Sequence, residues 1–227
     1  MSKKLLDILI DDEKKINKKL YSSGPYWDYK NRKTLYEIKK KGINEFRGYK
    51  TGIGTSYCDN LVVDINNELN FKGRIVASFF KLPLIKNIFE LQVQNSKNLS
   101  KMYLEKLNIA CRKDESVSKL VNKYVLEKTT EFDCVDKFTL NGKDYSTHYL
   151  RIANRIENLS KNFEFKKIRS FFEIGGGFGS NIHFLISNFK NIKKIIYLDI
   201  VPNIYVGTEY LRHFYKEKVY DYSNLRS

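Results

Sequence analysis

Within seven positions the chain places one carboxylate and three evenly spaced glycines, Glu173-x-Gly175-x-Gly177-x-Gly179. Glycine lacks a Cβ, so the backbone can turn tightly and come close to a bound group, and a helix starting directly afterwards offers unpaired N–H groups to it. Asp199 lies twenty positions after Gly179 and closes the next apolar run. A carboxylate there can accept both hydroxyl protons of a ribose. The constellation suits a nucleotide-containing ligand. It departs from the dinucleotide fingerprint, which wants glycine at the first, third and sixth positions. Counting from Gly175, the sixth is Ser180. A purely structural glycine turn is the competing reading. Of the three histidines, His148 precedes this unit at the start of a helix and is the candidate proton acceptor. His183 and His213 read as packing or surface residues. Cys58, Cys111 and Cys134 are far apart and form no CxxC pair, which points to buried thiols rather than a disulfide framework or a metal site.

The elements that must position these residues follow from periodicity. Residues 1–21 read as an amphipathic helix with Leu5, Leu9, Ile16 and Leu20 on one face, ended by Gly24-Pro25. A second helix runs from Trp27 to Lys41 and stops at Gly42, where a left-handed cap suits glycine. Residues 48–57 hold a glycine-rich loop, and residues 60–125 carry mostly helical periodicity broken at Gly73, Pro83 and around Lys113. Lys137–Leu140, Asn141-Gly142 and Lys143–Ser146 spell a tight hairpin. A helix over 147–162 follows, with Tyr149, Ile152, Ala153, Ile156 and Leu159 on one side. From Ile168 the pattern becomes strand, glycine turn, helix (180–189), strand (194–199) and helix (204–215). The helix between the two strands predicts that they run parallel, as in the opening of a doubly wound α/β fold.

The spacing of Glu173 and the glycines, with Asp199 in register, resembles the first motif of class I S-adenosylmethionine-dependent methyltransferases. In that family the strand-end acid sits near the amino-acid end of the cofactor and the second acid holds the ribose. A finer resemblance covers most of the chain. Tyr26-Trp27-Asp28-Tyr29, Gly42-Ile43-Asn44-Glu45-Phe46-Arg47-Gly48, Ser56-Tyr57-Cys58-Asp59-Asn60, Phe172 to Gly179 and Leu198-Asp199-Ile200-Val201-Pro202 look like sugar O-methyltransferases from bacterial surface-polysaccharide gene clusters. The resemblance implies an α/β chain with two regions. Residues 1–165 would form a mostly helical cap that selects a sugar or glycan acceptor, and residues 166–227 the first part of a Rossmann-like methyltransferase sheet. It implies S-adenosylmethionine as cofactor, bound by Glu173, Gly175, Gly177, Gly179 and Asp199. Arg47 and Asp59 become candidates for sugar hydroxyls, or braces of their loop. Trp27, Tyr29, Tyr49 and Tyr57 could stack on a sugar ring or serve the core.

The α/β unit begins near residue 167, which leaves about 60 residues for it. A family sheet of about seven strands needs far more, since one strand–helix unit takes roughly 25–30 residues. The expectation is an N-terminal part of a longer enzyme that alone binds cofactor weakly or not at all.

Composition adds breadth rather than detail. The 227 residues carry a net charge of +15, but only nine of the 41 basic residues are arginine and the lysines are spread along the chain. That spread argues against a dedicated nucleic-acid reader, which would gather its cations on one face. No apolar run approaches the roughly 18 residues of a membrane span, and residues 1–16 lack a signal-peptide pattern. The expected location is a reducing cytoplasm, with homo-oligomerisation left open. Two further readings stay open: a non-catalytic remnant or interaction module, and a nucleic-acid methyltransferase or binder.

Overall fold

The computed structural model describes residues 3–17, 24–48 and 114–225. Helix α1 (Lys3–Lys15) buries Leu5, Leu6 and Leu9, whereas Ile16 lies beyond its end and is half exposed. Helix α2 (Gly24–Lys41) starts three residues before the expected Trp27. It ends as predicted at Gly42, which takes φ +71° and bonds its N–H to the Ile38 carbonyl. Helix α3 (Glu115–Lys123) is capped by Asp114, whose carboxylate accepts from the Ser116 N–H at 2.8 Å.

Strands β1 (Lys137–Leu140) and β2 (Lys143–Ser146) form the expected antiparallel hairpin. Asn141 and Gly142 both take positive φ, as a two-residue primed turn requires. Helix α4 (Thr147–Leu159) follows without a break and buries Tyr149, Ile152, Ala153 and Ile156, while Leu159 faces outward.

The last part reads strand, turn, helix, strand, helix: β3 (Ser170–Ile174), α5 (Ser180–Asn188), β4 (Lys194–Leu198) and α6 (Asn203–Tyr215). β3 and β4 pair in parallel from Ser170 opposite Lys194 to Ile174 opposite Leu198, as the intervening helix predicts. A short helix, α7 (Tyr222–Leu225), then touches α1, where the Tyr222 hydroxyl donates to Asp12 at 3.1 Å. Among the described residues the sheets remain two separate two-stranded pairs, so the architecture is mixed α/β.

Phe171, Ile195 and Tyr197 point from the β3–β4 pair into the main core, with Glu173 buried beside them. Phe172, Ile174, Ile196 and Leu198, on the opposite face, are 54%, 75%, 46% and 47% exposed. That core is continuous across residue 165: Leu5, Ile43, Phe46 and Tyr149 belong to the same buried cluster as Phe178, Phe184 and Tyr210. The regions expected at 1–165 and 166–227 are therefore packed together rather than strung on a linker. No helix among the described residues is long and apolar enough to cross a membrane.

Candidate functional site at the glycine turn

The β3 strand delivers Glu173 to its end and the chain then turns through Gly175, Gly177 and Gly179, with φ of +72°, +61° and +80°. These angles cost an L side chain and are free to glycine, which explains the alternate spacing. Gly176 has a different reason to lack a side chain. A Cβ there would stand 2.7 Å from Glu173 Oε2 and 2.9 Å from the Tyr197 ring. Tyr197 supports the turn from below, its hydroxyl donating to the carbonyls of Gly177 and Asn203.

The two predicted acids stand at the ends of adjacent parallel strands, one on each side of this turn. Glu173 is 8% exposed, and its Oε1 accepts from Asn181 Nδ2 at 2.6 Å. Its Oε2 is buried and has no hydrogen-bond partner. Burial raises the Glu173 pKa; the Asn181 hydrogen bond works against the rise and the nearby Asp199 charge adds to it. A buried carboxylate with one unpaired oxygen is costly unless something pairs it. The position therefore fits a ligand that brings a cationic or N–H donor.

Asp199 is differently placed. Its Oδ2 accepts the Gly177 N–H at 2.7 Å, and its Oδ1 accepts from the Ile200 N–H at 2.7 Å and Asn203 Nδ2 at 3.2 Å. Burial raises its pKa, against the pull of these donors. About four lone-pair sites are available to a carboxylate, so Asp199 retains one acceptor position. Gripping two hydroxyls would require it to release the turn N–H or Asn203.

His148 reaches the same turn from α4. Its Nε2 lies 2.8 Å from the Ser180 hydroxyl at the start of α5, and its ring packs 5.4 Å from Phe178. Burial pushes its pKa down to about 4, so the ring is neutral at physiological pH. Arg47 is 2% exposed. Its guanidinium donates to the Thr129 carbonyl, to Asp136 Oδ1 at 3.2 Å and to Ser146 Oγ at 2.9 Å, and it lies 5.2 Å from the centre of the Phe178 ring. The geometry gives Arg47 the work of a brace between the Gly42–Gly48 segment, the β2–α4 junction and the glycine turn. His183 is a core residue, its Nδ1 2.7 Å from the Tyr149 hydroxyl, and His213 pairs with Glu131 near the surface. Trp27 is 46% exposed on α2. Asp59, Tyr49, Tyr57, Cys58 and Cys111 lie outside the described residues.

Sequence reasoning missed the supporting groups Asn181, Asn203 and Tyr197. The signal for the two asparagines is their position: each sits in the first turn of the helix that follows a predicted acid. Among the described residues no cluster of three or more His, Cys, Asp or Glu side chains could hold a metal ion. A cleft of about 510 Å³ lined by Arg212, Lys216, Tyr220 and Asp221 sits at the far end of α6, away from the turn.

Comparison of the chain with protein-family models, with curated proteins and with solved structures finds no match.

Proposed function

We propose that the glycine turn binds S-adenosylmethionine and that the chain belongs to an enzyme, or part of one, that methylates a hydroxyl, with a sugar as the acceptor. The observation that carries this reading is the unpaired, buried Glu173 Oε2 beside a turn of three positive-φ glycines. The bound cofactor would supply an electrophilic methyl group on a sulfonium. Glu173 offers its unpaired oxygen to an ammonium, and the start of α5 supplies amides without intrahelical partners. Asp199 offers its remaining acceptor site to one ribose hydroxyl. His148 is assigned a positioning role, because a ring with a pKa near 4 is a poor proton acceptor at neutral pH. The sugar as acceptor rests on the N-terminal motif resemblance; the Gly42–Gly48 segment that carries part of it packs on the turn, with Phe46 5.4 Å from Phe178.

A second reading, a glycine turn that stabilises the fold and binds nothing, is favoured by the three internal donors already held by Asp199. Titration of the ¹⁵N-labelled chain with S-adenosylhomocysteine separates the two. Binding should shift the amides of residues 173–181 and 199–203, and Gly177→Val or Glu173→Gln should remove the shifts. Shifts that do not saturate at millimolar ligand fit the weak binding expected of this chain, whereas stronger shifts with NADH than with S-adenosylhomocysteine would overturn the proposal.

A further inference from the structure

The parallel pair has two ends, and the chemistry at the second has no part in the proposal above. At the N-terminal ends of β3 and β4, two segments separated in sequence are stitched side by side. Asn191 Nδ2 donates to the carbonyls of Phe165 and Ile168 at 2.8 and 2.7 Å. The N–H groups of Lys193 and Lys194 donate to the Arg169 carbonyl at 2.8 and 3.3 Å. The Phe165 and Phe189 rings pack 5.2 Å apart beneath them. This stitching gathers Lys166, Lys167, Arg169, Lys190, Lys193 and Lys194 on one edge, where all six are exposed. Over residues 160–170 and 189–195 the sole acid is Glu164, which pairs with Lys167 at 2.8 Å. Phe163, just before this edge, is 59% exposed. The lysines that look evenly spread in the sequence are thus locally concentrated by the fold.

We propose that this edge is a docking surface for an anionic phospholipid bilayer. Clustered Lys and Arg beside an exposed aromatic are the composition of an interfacial contact: the cations gather anionic headgroups and the ring enters the boundary region. Single-stranded nucleic acid is the less suited polyanion. It is held by series of aromatic platforms on which successive bases stack, and among the described residues this edge has one exposed ring, Phe163. Duplex reading needs an element that enters a groove and favours forked arginines, whereas five of the six cations here are lysine, on turns and strand ends. The glycine turn lies at the opposite strand ends, about 16 Å away for a five-residue strand, so a docked chain keeps that turn clear of the surface. The inference does not depend on what the turn binds.

The test is co-sedimentation of the full chain with vesicles of phosphatidylcholine alone and of phosphatidylcholine mixed with phosphatidylglycerol. Binding should need phosphatidylglycerol and fall steeply with salt. The double variant Lys166→Glu, Lys193→Glu should bind at least about 25-fold more weakly, each lost charge being worth about five-fold. Phe163→Ser should weaken the binding that survives at higher salt. Lys39→Glu with Lys40→Glu, on α2, serves as a control of equal charge change and should cost far less, with circular dichroism confirming that all variants fold. Equal sedimentation with both vesicle types, an equal loss in the α2 control, or tighter binding to a single-stranded oligonucleotide than to the mixed vesicles would overturn the proposal.

Discussion

Arg47 is the most consequential single side chain in the described structure, because it is charged, 2% exposed and bonded to groups on three segments. Asp136 answers it, and the same carboxylate accepts the His148 N–H at 3.1 Å while Cys134 donates to it at 2.8 Å. Removing one partner leaves the other buried and unpaired, which is far worse than never having built the pair. Arg47→Ala should therefore destabilise the chain by about 3–5 kcal/mol, and Asp136→Ala similarly, measured by urea unfolding. The double variant should cost much less than the two combined. His183 makes a second residue-scale prediction. Tyr210 can donate to Tyr149 at 2.6 Å and Tyr149 to His183 Nδ1 at 2.7 Å, with Phe214 stacked on the ring at 4.1 Å, an arrangement that uses Nδ1 as an acceptor and so suits a neutral ring. Burial lowers its pKa to about 4, below the 6.5 of an unfolded histidine. Between those values the unfolded chain binds more protons than the folded one, so stability is fully present above pH 6.5 and lost as pH falls toward 4. The loss from this residue is roughly 3 kcal/mol, since each tenfold drop in proton affinity on folding is worth about 1.4 kcal/mol. His148 adds a loss of the same sign. His183→Gln should flatten the unfolding free energy across this window, and an unchanged slope would show that the ring is not the group responsible.

At the scale of elements, the glycine turn is the piece that the sequence announces best and the structure explains furthest. Gly179 combines φ +80° with a virtual Cβ 3.1 Å from the Leu211 side chain on α6, so conformation and space both argue against any larger residue. Gly179→Ala should cost about 2 kcal/mol in chemical denaturation, one for the left-handed backbone and the rest for the contact. A neutral outcome would mean that the turn relaxes. The hairpin, the parallel pairing, the end of α2 at Gly42 and the positions of both acids were all legible, because each rests on a local rule: turn chemistry, periodicity or chain reversal. What was not legible depended on contacts between distant segments. No spacing shows that Arg47 would reach Asp136, that Asp199 would accept the Gly177 amide, or that the lysines of residues 166–167 and 190–194 would share an edge. Periodicity places Leu159, at the end of α4, and Ile16, just past the end of α1, on buried faces, but they are 40% and 46% exposed.

The molecule as a whole is defined by an asymmetry in its parallel pair. Parallel strands are normally covered on both faces, since their connections carry helices to each side. Among the described residues the face bearing Phe171, Glu173, Ile195 and Tyr197 meets the core, and the face bearing Phe172, Ile174, Ile196 and Leu198 does not. Side chains this exposed have little transfer energy to lose, so Ile174→Thr with Leu198→Thr should change the unfolding free energy by no more than about 1 kcal/mol, two surface substitutions at roughly half a kcal/mol each. By contrast, Phe184→Ala at 1% exposure should cost about 3–5 kcal/mol. An open apolar face should also bind a hydrophobic dye such as anilinonaphthalene sulfonate to the native chain, and the double threonine variant should lower that fluorescence without shifting the denaturation midpoint. The decisive comparison is between those two readings on one sample: a large stability loss accompanied by weak dye binding in the parent chain would mean that the face is covered in solution.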